Sequence, residues 1–200
     1  MTTTETNELI EWGYVLKAYP GETESGDQYL VQPFENGVLV AVVDGLGHGA
    51  KAAAVAKQAV TAMKDYPQET VKTIFEKTHR ILRSSRGVVM SAVSFNGATD
   101  ELTWLGVGNV KGMLFKSGNN SPRDTLLLRG GIVGYRLPSL YPSTISLKPG
   151  DTMVLATDGL QSDFVEGIDL RQTPQQIADN LFTEHVRGTD DALILVARYR

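Results

Sequence analysis

The sequence predicts an α+β fold: a four-layer αββα sandwich, two packed and mainly antiparallel β-sheets flanked by helices. Three observations carry this expectation. Short apolar or period-two runs recur along most of the chain; two helical patterns stand side by side in its first half; and a third, capped helix precedes a last apolar strand. The 200 residues, 42% hydrophobic and 21% charged, suffice for one domain with a sizeable core. Residues 11–200 are therefore expected to form a single domain behind a polar leader, residues 1–10.

Each element has its own signal. Trp12 to Tyr19 and Gln28 to Val31 read as strands, and Asn36-Gly37 is a hairpin turn leading into Val38 to Val43. An alanine-rich helix follows, about Ala50 to Lys64, with Ala54, Val55, Ala59 and Ala62 or Met63 as its apolar stripe. Tyr66-Pro67 interrupts it. Glu69 to Arg83 then forms a second amphipathic helix through Val71, Ile74, Phe75, Thr78 and Leu82, antiparallel to the first. From Gly87 the pattern turns to strands: Val88 to Phe95, Leu102 to Val107, Lys111 to Phe115, Thr125 to Leu128, Thr144 to Leu147 and Thr152 to Ala156. Asn96-Gly97 and Lys148-Pro149-Gly150-Asp151 supply the clearest turns. Thr173 caps a last helix that begins on Pro174 and runs to about Thr183, before a final strand, Ala192 to Tyr199.

Composition excludes several classes of function. A net charge of −4 gives no general attraction to nucleic acid or to an anionic membrane, and neither is expected as a partner. No apolar run approaches the roughly 20 residues that span a bilayer, and the start MTTTETNE has no secretory pattern, so a cytoplasmic location is expected. The chain has no cysteine, which leaves oxygen and nitrogen ligands for any metal chemistry.

The chemistry lies at strand ends. Asp44 closes VLVAVVD, Asp158 closes TMVLATD, and Asp190 with Asp191 opens DALILVA. If the Thr152 and Ala192 strands are antiparallel neighbours, Asp158 and Asp190 come together. Asp27, just before QYLV, is a fourth candidate. Clustered carboxylates repel unless cations bridge them, and hard oxygen ligands suit Mg²⁺ or Mn²⁺. Two such ions would make a hydrolytic centre for a phosphoryl group. Two other readings compete. Asp-Gly is first of all a turn dipeptide. Gly45 to Ala50 also fits the dinucleotide pattern G-x-G-x-x-A, yet the following MKDYPQETVKTIF offers a helix break where a second parallel strand ending in an acid should stand. A P-loop fails because Lys51 is followed by Ala52.

Five stretches occur in an order and spacing that span nearly the whole chain: Ser25-Gly26-Asp27, Asp44-Gly45-Leu46-Gly47-His48-Gly49, GVGNVKGML from Gly106, Ala156-Thr157-Asp158-Gly159-Leu160, and Gly188-Thr189-Asp190-Asp191-Ala192. In these the chain resembles the metal-dependent serine/threonine protein phosphatases, the PPM family, and within it the compact bacterial branch of sporulation and stress-response phosphatases. The resemblance implies a site for two Mn²⁺ or Mg²⁺ ions. Asp44 would bridge the ions and be the catalytic residue of the site, the Gly45 carbonyl would bind the second ion, and Asp158 and Asp190 would hold the first. Asp27 would lie near the second ion, and Asp191 takes the place of the residue after the final ligand. The implied activity is hydrolysis of phosphoserine or phosphothreonine in proteins without a covalent phosphoenzyme, with stressosome scaffold proteins as the implied partners. A phosphatase-like module that binds phosphoproteins without turnover is the alternative, and retention of the four acids argues against it.

The chain also departs from the family pattern. Leu46 stands where larger relatives carry a histidine, and GETESGD has no counterpart of their phosphate-binding arginine, so phosphate is expected to rely mainly on the metals. Asn109 stands where many relatives have an acid associated with a third metal. His48, in the turn before a helix, could donate a proton to a leaving group or simply face solvent. His79 and His185 are expected at the surface.

Overall fold

In the computed structural model, which describes residues 4–117 and 123–200, the expected sandwich is present. Its strands are β1 (Glu5–Thr6), β2 (Ile10–Lys17), β3 (Asp27–Phe34), β4 (Gly37–Gly45), β5 (Val88–Asn96), β6 (Glu101–Val107), β7 (Lys111–Phe115), β8 (Arg123–Thr125), β9 (Leu128–Arg129), β10 (Ser143–Ser146), β11 (Thr152–Ala156) and β12 (Ala192–Tyr199). The helices are α1 (Gly49–Lys64), α2 (Val71–Ile81) and α3 (Pro174–His185). One six-stranded sheet runs β1-β2-β12-β11-β7-β8. The other runs β10-β6-β5-β4-β3, with β9 added beside β6 as a parallel strand. Part of the expected polar leader thus forms β1, paired antiparallel with β2, and Met1 to Thr3 lie outside the described residues.

The layering follows from side-chain alternation. In β4, Val38, Val40 and Val42 enter the core between the sheets, where they meet Met153 and Leu155 of β11 and Leu193 and Leu195 of β12. Leu39, Ala41 and Val43 face the other way and pack against Ala56, Ala59 and Met63 of α1 and Ile74 and Phe75 of α2. On the far side, Val154, Ala156, Ile194 and Val196 meet Ile177, Ala178 and Leu181 of α3. Strands buried on both faces are why β4 and β12 read as unbroken apolar runs.

Local chemistry sets the helix ends. Thr70 caps α2 by accepting a hydrogen bond from the Thr73 N–H, and Thr173 forms a capping box with Gln176 ahead of Pro174; such caps contribute about 1 kcal/mol each. Because Thr70 supplies the cap, α2 starts at Val71 rather than at Glu69. The buried face of α1 is Gly49, Ala52, Ala53, Ala56, Ala59, Val60, Ala62 and Met63, so Ala59, Ala62 and Met63 are as expected, whereas Ala54 is exposed. Small residues point inward because the helix lies close on β3 and β4: a Cβ on Gly45 would stand 2.4 Å from the Ala52 carbonyl oxygen.

Two other expectations are corrected. The single strand at Thr125 to Leu128 is two pieces, because the chain changes sheets there: β8 pairs with β7 in one sheet and β9 with β6 in the other, around the buried Leu126. His79 and His185 are not free surface residues. His79 Nδ1 accepts a hydrogen bond from the Gly134 N–H at 2.9 Å, and burial together with Arg83 lowers its pKa. The His185 side chain is only 12% exposed, held between Asp163 and Glu184 at the end of α3.

Candidate metal centre

The acids converge because of register and parity. Asp27, the first residue of β3, is directly opposite Asp44 near the end of β4. Asp44 shares the parity of Val38, Val40 and Val42, so its side chain points between the sheets, while Gly45 faces α1. In the second sheet β11 and β12 run antiparallel with Ala156 opposite Ile194, which brings the exit of one strand, with Asp158, beside the entry of the other, with Asp190 and Asp191.

Thr157 ties the two sheets together at this end. Its hydroxyl donates to Asp27 Oδ2 at 2.7 Å and accepts from the Leu193 N–H at 2.9 Å. Asp158 Oδ2 accepts from Asn109 Nδ2 at 2.8 Å, Asp190 Oδ1 accepts from the Asp191 N–H at 2.8 Å, and Asp191 Oδ1 accepts from the Tyr19 N–H at 2.8 Å. Asp191 Oδ2 is buried without a hydrogen-bond partner. A buried carboxylate oxygen left in that state is costly and asks for a cation or water.

Electrostatics point the same way. Burial, then Asp158, Asp190 and Asp191, push the Asp44 carboxyl up to about 7. Asp27, only 1% exposed, is raised well above the ordinary carboxylate value by burial and by Asp44, against the lowering effect of the Thr157 hydrogen bond. Burial also raises Asp190. In a site without cations these acids hold protons at higher pH than free carboxylates do; divalent ions reverse that preference.

Asp44, Asp158 and Asp190 line one open cleft of about 280 Å³ with Tyr19, His48 and Asn109. Asp27 and Asp191 lie buried behind it. Among the described residues no group of three or more acid or histidine side chains already forms a closed set around one metal position. The hard oxygen donors, the orphaned Asp191 oxygen and the raised pKa values nevertheless suit a divalent cation. The Gly45 N–H donates to the Gly26 carbonyl at 3.1 Å, which fixes the turn that carries the Gly45 carbonyl.

Around the cleft mouth the structure adds residues that the sequence did not single out. Glu22 Oε1 pairs with His48 Nδ1 at 2.9 Å, and the His48 ring stacks on Tyr19 with centroids 4.6 Å apart. His48 is therefore oriented, not a free turn residue, and its other ring nitrogen makes no hydrogen bond among the described residues. The same Glu22 carboxylate stands 2.7 Å from where a Cβ on Gly49 would lie, in the first turn of α1, where a negative charge suits the helix N-terminus. Arg86 Nη1 donates to the Leu46 carbonyl at 2.8 Å. Thr157 had a sequence signal in its place beside Asp158 in ATDG; Glu22 and Arg86 had none, because their partners are distant in sequence.

Two sheets that gather aspartates at one end between flanking helices agree with the phosphatase class that the sequence resembles. The family described as Stage II sporulation protein E, SpoIIE, matches residues 35–200, and the chain belongs to this family. Phosphoserine phosphatase RsbX of Bacillus subtilis (strain 168) is 26% identical over 206 residues, covering 99% of both proteins. A chain solved for "The bacterial stressosome: a modular system that has been adapted to control secondary messenger signaling" is 29% identical, with a TM-score of 0.86 over 94% of this chain and 99% of that one. The crystal structure of RsbX in complex with magnesium shares the fold, with a TM-score of 0.89, 21% identity and full coverage of both chains. Among the described residues no helix is long and apolar enough to cross a membrane.

Proposed function

We propose that this chain is a cytoplasmic Mn²⁺- or Mg²⁺-dependent phosphatase that hydrolyses phosphoserine or phosphothreonine in stressosome proteins of a bacterial stress-signalling system. The observation that carries the reading is the convergence of Asp27, Asp44, Asp158, Asp190 and Asp191 at one end of the sandwich, with Asp44 pushed up to about 7 and an Asp191 oxygen unpaired. The SpoIIE family membership and the RsbX likeness support the substrate class. Residues 11–200 serve as one phosphatase domain in this reading.

Asp44 would hold both ions, with the Gly45 carbonyl and Asp27 on the side of the second and Asp158 and Asp190 on the side of the first. When bound, the two ions activate water and offset charge on the phosphoryl group. The chain's own residues do the rest. Thr157 fixes Asp27 by donating to Oδ2, and Asn109 fixes Asp158 in the same way. His48, with Nδ1 held by Glu22, presents Nε2 as the atom that hands a proton to the departing serine or threonine oxygen.

The test is phosphate release from a phosphoserine peptide. Activity requires Mn²⁺ or Mg²⁺, disappears with chelator and falls by orders of magnitude in Asp44→Asn. A metal-loaded protein that binds phosphorylated stressosome proteins without turnover would instead establish the binding-module reading, and activity that survives chelation would refute the site. NAD binding without hydrolysis would favour the dinucleotide reading.

A further inference from the structure

We infer that Arg86, on the connection between α2 and β5, is the phosphate-binding cation of this cleft, reaching it from an element different from the one that carries the missing arginine of larger relatives. The inference rests on the phosphatase reading and adds a residue to it. The residues that line the cleft include three aspartates and no lysine or arginine. Two divalent ions do not outweigh five carboxylates, so a phosphoryl dianion entering the site lacks a counter-charge unless the rim supplies one.

Arg86 is placed to supply it. Its Nη1 donates to the Leu46 carbonyl at 2.8 Å, and Leu46 and Gly47 both form the cleft wall directly after Asp44-Gly45. A Cβ on Gly47 would stand 2.8 Å from that same nitrogen, so the guanidinium lies against this turn, whose φ of +87° at Gly47 favours glycine. The Leu46 bond engages one of five N–H donors. Among the described residues the Arg86 side chain makes no other hydrogen bond and no ion pair, although the chain carries a net negative charge. An exposed guanidinium with its fork unspent matches phosphate oxygens two at a time. Lys111 and Arg187 also donate to backbone carbonyls, of Ser162 and Leu160, but neither of those acceptors belongs to the cleft wall, whereas Leu46 does.

The experiment compares wild type, Arg86→Ala, Arg86→Lys and Arg83→Ala, the last removing a nearby positive charge that does not touch the cleft wall. Binding of inorganic phosphate to the Mn²⁺-loaded protein is measured by calorimetry, Mn²⁺ affinity by direct titration, and kcat and KM on a phosphoserine peptide. Arg86→Ala is expected to weaken phosphate binding and raise KM by about ten- to a hundredfold, the worth of a charge-assisted hydrogen bond. Arg86→Lys should recover part of the loss, Arg83→Ala should match wild type, and Mn²⁺ affinity should not move. Unchanged phosphate binding in Arg86→Ala of an active enzyme overturns the inference. So does a parallel loss of Mn²⁺ affinity, which would make Arg86 a clamp on the Leu46 turn. A metal-loaded wild type that neither binds phosphate nor hydrolyses the peptide refutes the phosphatase reading itself, a result distinct from both.

Discussion

Replacing Asp44 by asparagine is expected to stabilise the metal-free protein while abolishing its activity. The Asp44 carboxyl is raised from 3.8 to about 7 by burial and by Asp158, Asp190 and Asp191. At about 1.4 kcal/mol per tenfold change, ionising it at pH 8 costs the fold at most about 4 kcal/mol. Relaxation of the neighbouring acids brings the usable figure to about 2 kcal/mol, or roughly 4–8 °C in Tm for a chain of this length. The sign follows from protons. Folded Asp44 keeps its proton to higher pH than the unfolded chain does, so the stability linked to that proton is fully present below about pH 4 and is lost as pH rises through 7. Thermal melts in excess chelator should therefore show wild type losing stability between pH 5 and pH 8, and Asp44→Asn melting higher at pH 8 with a flatter profile. Adding Mn²⁺ should reverse the order, because the ion stabilises only the chain that retains its ligand. An Asp44→Asn protein that melts at or below wild type at pH 8 in chelator would refute the claim that this carboxylate is held against its neighbours' charge.

Other substitutions separate the parts of the site. Thr157→Val removes the donor to Asp27 Oδ2 and leaves the buried Leu193 N–H unpaired; a loss of about 1–3 kcal/mol in denaturant unfolding is expected, with weaker Mn²⁺ binding by titration. Gly45→Ala presses a Cβ to 2.4 Å from the Ala52 carbonyl oxygen, so α1 must shift; melting should report about 1–3 kcal/mol lost, and activity should fall with it. If His48 protonates the leaving oxygen, His48→Gln and Glu22→Gln should slow an alkyl phosphate about tenfold or more and hardly affect p-nitrophenyl phosphate, whose leaving group needs no proton. Equal losses on both substrates would remove His48 from that role.

Much of this molecule is local in origin. Val38 to Val43, Lys111 to Phe115, Thr152 to Ala156 and Ala192 to Tyr199 were legible as strands because their apolar runs end at turn residues or at acids. Thr173-Pro174 marked the start of α3 because a cap and a fixed φ act within one turn. The five buried residues expected on α2 are all in the core, since helical period alone selects that face. The split of Thr125 to Leu128 was not legible, because whether a strand stays in its sheet depends on partners such as Gly106 and Met113, not on its own residues.

The sequence by itself therefore determined the αββα class, the acid at each strand end and the glycine turn after Asp44. Only the tertiary structure decided how those acids meet: Asp27 opposite Asp44 by register, Thr157 reaching Asp27 across 130 positions, Glu22 orienting His48, and Arg86 lying over Leu46. Strand and helix signals arise from interactions between near neighbours, which composition and period record. A site assembled from five segments arises from packing and register between residues far apart in the chain, and no local pattern carries that information.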